Sequence, residues 1–437
     1  MLSSRSTGDL GRGRMVGEGA NWRGPNVALA PSLPTPDISG QRAGAKRRIG
    51  NVRVSLAIAI LGWAFLTLCL VGLGYTLAAT RVTARYLRLP RPADAPYAGS
   101  APDVTIVKPL HGAHAHLREA LESFCMQDYP GAVQIVFGVH RPDDAAIPVV
   151  RDLQASHPNL AIDLVVDDEI HGVNRKASNL VNIATQARHG VLILSDADIV
   201  VERDYLRNVT AALAGPGVGA VSCLYVGLDD GRLWSRLSAM AIDYQFLPSA
   251  VLGKAMGMAN PCFGSTIAIR AEVLERIGGF LAFADHLADD YEIGRAVRKL
   301  GLAVDIPPMV VFHHSPESTS RELVSHELRW SRTVRQIDAA GHAGSVITHP
   351  LPLALIAALL FGFSPFSLVI ITVALAVRLW SKILIDRATD TRAGSWWLIP
   401  LRDVLSFGIY LGSFVVNTVD WQGRRFRVGQ GGVFHHH

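Results

Sequence analysis

Apolar residues follow two rhythms along this chain. Long charge-free runs stand near the start and toward the end, and between them short apolar runs alternate with amphipathic stretches. Val54 to Ala79 is 26 residues without a charge, flanked by Arg53 and Arg81. A helix of that length, at about 1.5 Å per residue, exceeds the roughly 30 Å hydrocarbon core, so the run predicts a tilted transmembrane helix over 54–79. It is also longer than the about 7–15 apolar residues of a signal peptide, which argues against cleavage. Basic residues flank both sides (Lys46, Arg47, Arg48 and Arg53 before; Arg81, Arg85, Arg88 and Arg91 after), so charge bias does not orient it. Pro350 to Val377 is a second run, of 28 residues with Pro365 near its middle. Leu398 to Val419 is a third, interrupted near its start by Arg402 and Asp403. Further spans are therefore expected over 350–377 and 398–419.

The middle of the chain, 98–348, reads differently. Val104–Val107, Val133–Val139, Leu160–Val166, Val191–Leu194 and Val218–Cys223 have the length of buried strands. Leu117–Met126, Lys176–Ala187 and Tyr205–Ala212 have helical periodicity. Strands alternating with helices imply βαβ units and a mostly parallel sheet covered on both faces. Residues 1–50 are rich in Gly, Ser, Pro and Arg and cannot bury enough surface to offset their ordering entropy, so disorder is expected there. The tail over 420–437 begins Trp421-Gln-Gly-Arg-Arg-Phe-Arg, basic and aromatic, and suits a cytoplasmic membrane interface. The terminal His435-His436-His437 resembles an affinity tag and is set aside.

Composition supports this division. Of 437 residues, 49% are apolar and 18% charged, with mean hydropathy +0.25. Soluble domains carry roughly a quarter charged residues, so the chain leans toward the membrane. It is too apolar for a largely disordered protein, and a polytopic transporter would need more spans. Net charge +5 and a pI near 9.1 point to anionic partners. Cys69, Cys125, Cys223 and Cys262 are scattered without CxxC pairing, which speaks against a zinc site or a disulfide scaffold and fits a reducing compartment.

Several short stretches carry candidate chemistry. Val191-Leu-Ile-Leu-Ser-Asp-Ala-Asp presents Asp196 and Asp198 at the carboxyl end of a buried strand, two residues apart and so able to face one site. Paired carboxylates there suit Mg2+ or Mn2+, which bridge to substrate phosphates; solvated loop acids are the plainer reading. Asp289 and Asp290 precede the helical spacing of Ile293, Val297 and Leu300. They are either N-caps or a general base held ionised at a helix start. In His171-Gly-Val-Asn-Arg-Lys-Ala-Ser-Asn, Arg175 and Lys176 open a helix, a natural phosphate site or a solvated basic turn. Arg141-Pro-Asp-Asp offers Asp143 or Asp144 to a base or sugar, though a Pro-Asp turn explains the same letters. In Ser325-His-Glu-Leu-Arg-Trp, His326 and Arg329 share a helical face flanked by Trp330, suited to a phosphate, a headgroup or plain interfacial anchoring. His314, beside His313, is a candidate metal ligand or a structural histidine.

Taken in order, these pieces resemble the ceramide glucosyltransferase family of membrane-bound GT-A glycosyltransferases, whose signature is three separated aspartates and a (Q/R)xxRW motif. The first aspartate matches Asp143 or Asp144, the second Asp196, the third Asp290, and the RW pair is Arg329-Trp330. Val107-Lys-Pro-Leu, Phe124-Cys-Met-Gln-Asp-Tyr-Pro, Gly172-Val-Asn-Arg-Lys and Trp421-Gln-Gly-Arg extend the match over about residues 50–430. Within the family, KPLHG, HGVNRKASNL and CFGSTIAIR look most like the bacterial hopanoid-biosynthesis glycosyltransferases. One position departs: His326 stands where Gln or Arg is expected, which also speaks against a processive polysaccharide synthase.

The resemblance implies a GT-A α/β domain and an inverting transfer of one sugar from a UDP-sugar to a membrane-lipid hydroxyl. The sugar would be GlcNAc and the acceptor a hydroxylated hopanoid, with ceramide glucosylation as the alternative. It implies Mg2+ or Mn2+ on Asp196 and Asp198, with His314 as a further ligand, and Asp290 as the base. Substrate contacts fall to Lys108, Pro109, Asp143, Asp144, Asn174, Lys176, Asn179, Asp289, His326, Arg329 and Trp330. Nucleotide sugars are made in the cytosol, so the catalytic domain is expected to face it from a bacterial inner membrane. Nucleic acid becomes an unnecessary partner. A lipid-linked nucleotidyltransferase and a non-catalytic membrane scaffold are the more distant readings.

Overall fold

The computed structural model describes residues 38–94, 100–258 and 262–415, and short strands at Val419–Trp421, Arg424–Val428 and Phe434–His435. The chain divides into two compact units, 1–55 and 56–437. In the first, the described residues begin at Ile38 and are helical; the disorder expected over 1–50 otherwise lies outside the described residues. The side chains of the tail expected to line a membrane interface lie outside them as well.

The second unit is built on a seven-stranded sheet. Its strands are β1 (Val104–Pro109), β2 (Val133–Val139), β3 (Ala161–Val166), β4 (Val191–Leu194), β6 (Val218–Ser222), β8 (Ile267–Arg270) and β9 (Ala303–Asp305), in the order β3-β2-β1-β4-β8-β6-β9. The pairs β2–β3, β1–β2, β1–β4 and β6–β9 are parallel, while β8 runs antiparallel to both β4 and β6. All four residues of β4 are buried, as a strand covered on both faces requires. Its side chains alternate between two cores: Ile193 joins Ile106, Phe124 and Tyr205, and Leu192 and Leu194 join Val107, Leu180 and Val297. A smaller sheet, ordered β5-β10-β7, was not anticipated. It consists of β5 (Ile199–Val200), β7 (Leu224–Leu228) and β10 (Val310–His314).

Among the described residues, three helices are long and apolar enough to cross a membrane: Asn51–Tyr86, Pro365–Thr389 and Trp396–Val415. Trp63, Leu70, Val369, Val404 and Leu411 are exposed on them, as lipid-facing residues would be. The run 350–377 is not one helix. Pro350–Leu360 ends, and Pro365–Thr389 begins afresh. Gly362 takes a positive φ of 64° after the first helix, and the Phe363 N–H reaches back to the Ala358 carbonyl at 2.8 Å. Ser364 then caps the next helix by accepting from the Ser367 N–H, with Pro365 at its first turn. Gly after a helix and Ser-Pro before one are a stop and a start. Pro350–Leu360 instead pairs with Ala339–Thr348 across a 70° bend.

Candidate active site

The carboxylates gather where β4 ends. Asp196 lies two residues after the end of β4, just before a short turn, and its N–H donates to the Gly264 carbonyl at 3.2 Å. Gly264 in turn donates its N–H to Asp290 Oδ2 at 2.9 Å, so one glycine ties the second and third aspartates together. A Cβ there would stand 2.7 Å from Asp196 Oδ2 and 3.0 Å from Lys176 Nζ, so a side chain at that position would displace the Asp196–Lys176 pair. Lys176, in the first turn of the helix Arg175–Ala184, reaches Asp196 Oδ1 at 2.5 Å and Asp289 Oδ2 at 3.8 Å.

Asp289 and Asp290 open the helix Asp289–Lys299, but neither caps it; the preceding residue is Ala288. Asp290 Oδ1 accepts from the Tyr291 N–H at 2.8 Å. Burial, then the neighbouring Asp289, push the Asp290 carboxyl up to about 6, against the pull of Lys176. Burial also pushes Asp196 up despite Lys176. Burial would lower the Lys176 ammonium, yet Asp196, Asp289 and Asp290 together hold it above its ordinary value.

Asp198 faces a histidine, and it is His313 rather than His314. His313 Nε2 lies 3.3 Å from Asp198 Oδ2. Against the effect of burial on each, the pair stabilises both charges, lowering the Asp198 carboxyl and raising the His313 imidazole. Successive strand residues point to opposite sides, so His314 turns away from the aspartate pair. It stacks on His116 with ring centroids 4.4 Å apart. The expected metal set of Asp196, Asp198 and His314 is therefore not brought together as a trio.

The carboxylate pair nevertheless suits a hard divalent cation. Asp198 Oδ1 and Asp289 Oδ2 are buried oxygens without a hydrogen-bond partner. Asp196, Asp198, Asp289 and Asp290 offer the all-oxygen donor set that Mg2+ or Mn2+ takes.

The RW segment lies in the helix Ser320–Ile337. Asp198, Glu317, Arg321, His326 and Arg329 line an open cleft of about 630 Å³. Burial lowers the Arg329 guanidinium while Asp196, Asp198 and Glu317 oppose it. His326 Nδ1 bonds buried Glu317, and its ring meets Trp330 edge-on at 4.4 Å. Tyr225, Phe246 and Phe263 form an aromatic cluster with His313, the Tyr225–Phe246 centroids lying 4.6 Å apart. Glu317 and these aromatics were not singled out from the sequence, and of the His313-His314 pair it was His314 that was expected at the metal; the strand carrying Tyr225 and the π-helical turn carrying Phe246 give no local signal of a site.

Other expected substrate residues are occupied by the scaffold. Lys108 is fully buried, with its ammonium 2.8 Å from the Asp196 carbonyl, 3.3 Å from Ser195 Oγ and 3.6 Å from the Phe124 ring centroid. Burial brings it down to about 7, against Asp196 and Asp198. Pro109 pairs opposite Gly138 in the sheet. Asn174 caps its helix through the Ala177 N–H and donates to the His286 carbonyl and Asp289. Asn179 donates to the Gly138 carbonyl at 2.8 Å. Asp144 accepts from the Gly112 and Ala146 N–H groups, which leaves Asp143 as the exposed member of its pair, held by Arg141 at 2.6 Å.

The chain is similar to several known proteins. The family described as Glycosyl transferase family 21 matches residues 64–434. Ceramide glucosyltransferase 1 of Caenorhabditis elegans is 22% identical over 344 residues, 76% of this chain and 72% of that protein. An N-acetylglucosaminyltransferase of Bradyrhizobium diazoefficiens is 23% identical over 53% of this chain and 49% of its own. Among solved structures, a mannosyltransferase of Pyrobaculum calidifontis in complex with GDP-Man and Mn2+ superimposes with TM-score 0.48 at 23% identity, covering 81% of this chain and 99% of that one. The fold is the GT-A α/β domain expected, with a mostly parallel mixed sheet, one N-terminal apolar helix and two C-terminal ones.

Proposed function

The chain belongs to glycosyl transferase family 21, and on that premise we propose that it moves one hexose from a UDP-sugar to a hydroxyl of a membrane lipid, with inversion at the anomeric carbon. The observation that carries this is Asp290, a half-buried carboxyl tied through Gly264 to the backbone of Asp196 and lifted to about 6. A base of that strength suits an alcohol that must lose its proton only as it attacks. Asp290 accepts that proton while the hydroxyl oxygen bonds to the anomeric carbon from the face opposite the departing UDP. Mg2+ or Mn2+ held by Asp196 and Asp198 would neutralise the charge that builds on the diphosphate. Lys176 and Arg329 supply further positive charge beside it, and Asp143 offers its carboxylate to the nucleoside. The wall of Tyr225, Phe246 and Phe263 takes the apolar part of the acceptor.

Glucose transfer to ceramide is the first reading of donor and acceptor, because the relative named for that reaction matches over 72% of its length. GlcNAc transfer to a hydroxylated hopanoid is the second; the runs KPLHG, HGVNRKASNL and CFGSTIAIR favour it, as does the shorter match to an N-acetylglucosaminyltransferase. The catalytic domain, on this reading, faces the cytosol from a bacterial inner membrane. Membranes carrying the chain are incubated with UDP-glucose or UDP-GlcNAc and with ceramide or hydroxylated hopanoid, and the product is weighed. Release of UDP with a product one hexose heavier than ceramide is expected. A hopanoid product heavier by one GlcNAc selects the second reading. Release of pyrophosphate, or no turnover of any UDP-sugar with either metal, refutes the proposal.

A further inference from the structure

The segment His111-Gly-Ala-His-Ala-His carries three histidines into the start of the helix Leu117–Cys125, and β10 ends in His313-His314. The turn is held by the Leu117 N–H on the His114 carbonyl at 3.1 Å and the Ala120 N–H on the His116 carbonyl at 3.0 Å. His116 and Glu119 are three residues apart and so lie on one helical face. His116 Nδ1 stands 3.3 Å from Glu119 Oε2, and His314 Nε2 stands 3.7 Å from the same oxygen. The three ligand atoms all lie within 4.8 Å of one another. His314 is 6% exposed, and its Nε2, aimed at this cluster, has no hydrogen-bond partner. An imidazole nitrogen buried without a partner lacks the hydrogen bond that would offset its loss of water.

We propose that His116, Glu119 and His314 form a second cation site, separate from Asp196 and Asp198, for a borderline transition metal such as Zn2+. Two imidazoles and one carboxylate are ligands that Zn2+ accepts, whereas Mg2+ and Mn2+ favour the all-oxygen pair. Zn2+ with bonds of about 2.0–2.1 Å in tetrahedral geometry sets ligand atoms about 3.3 Å apart. Two of the three separations are already close to that value, and exposed Glu119 and half-buried His116 have freedom to close the third. Three protein ligands leave a fourth position for water or another donor. His114, both of whose ring nitrogens lack partners, is within electrostatic reach of His116 and Asp198. Scattered cysteines exclude a thiolate zinc site; these histidines build one of another kind.

The test is Zn2+ binding by the full chain in detergent, read by competition with a chromophoric chelator and independent of sugar transfer. His116→Ala, Glu119→Gln, His314→Ala and Asp198→Asn are compared with the unsubstituted chain; the terminal histidines are common to all five. Losing an outer-sphere partner alone weakens metal sites by roughly 10–100-fold. Losing a direct ligand is therefore expected to weaken one Zn2+ equivalent by about 100-fold or more in the first three variants and to leave it intact in Asp198→Asn. Unchanged binding in His116→Ala and Glu119→Gln, loss confined to Asp198→Asn, or no tight equivalent in the unsubstituted chain overturns the site. His116 and Glu119 lie at the surface, so their variants keep the test decisive if His314→Ala fails to fold.

Discussion

On the proposed function, Asp290 is the residue on which the chemistry turns. Asp290→Asn keeps the size of the side chain and removes its basicity, so donor binding is expected to persist while transfer falls by about 10²–10⁴-fold. Donor titration and single-turnover product formation check the two halves separately; near-normal transfer would take the base role from Asp290. The acid limb of the rate profile gives a second check. The proposed working form is ionised, and its carboxyl is raised to about 6 by burial and Asp289, so kcat/KM should fall as pH drops through about 6. A carboxyl at its ordinary value would place that limb near about 4. At this scale the aspartates were legible, since each stands in a short motif with its own spacing. Their partners were not: whether His313 or His314 meets Asp198 depends on the register and pleat of β10, and the letters His-His are silent on that.

Among the elements, the RW helix Ser320–Ile337 is anchored to the last apolar helix, Ile399–Val415. Arg402, 1% exposed, donates to both carboxylate oxygens of Glu327 at 2.7 and 2.6 Å and to the Leu237 carbonyl at 3.1 Å. Arg378 likewise donates to both oxygens of Asp403 at 2.8 Å and to the Tyr244 carbonyl at 3.0 Å. The charges that interrupt the third apolar run are thus pins between membrane helices and catalytic domain. Glu327→Ala leaves the Arg402 guanidinium buried without its partner, which costs about 3–5 kcal/mol. A clear drop in the detergent melting temperature, with loosening of the Arg329–Trp330 segment under hydrogen exchange, is the expected result. Unchanged melting would show that the pair holds nothing. The helix break at Phe361-Gly-Phe-Ser-Pro was readable from its Gly and Ser-Pro signals; charge counting alone fused 350–377 into one span.

At the scale of the whole molecule, one apolar core joins the small sheet to the spans: Leu224, Val226, Met240 and Leu323 pack in the same cluster as Ile385, Leu398, Ile399 and Ile409. Residues 98–348 expressed alone would lose the part of that core supplied by Ile385, Ala393, Leu398, Ile399 and Ile409. They are expected to aggregate or elute as large species on size exclusion, and a monodisperse, donor-binding fragment would contradict this.

What the chain determined by itself was its periodicity and local chemistry: which runs are long enough for a bilayer, which strands are buried on both faces, and where carboxylates follow a strand. These depend on neighbours close in sequence, so one chain reveals them. Tertiary structure decided which residues share the site. It buried Lys108, Asn174 and Asn179 in the scaffold, brought Glu317 to His326, joined Asp196 to Asp290 through Gly264, and set His314 beside His116 and Glu119. The Lys108–Asp196, Asn179–Gly138, Asp196–Gly264–Asp290 and His314–His116 contacts join residues up to about two hundred positions apart, and no local pattern encodes them because they exist only once both faces of the sheet are packed.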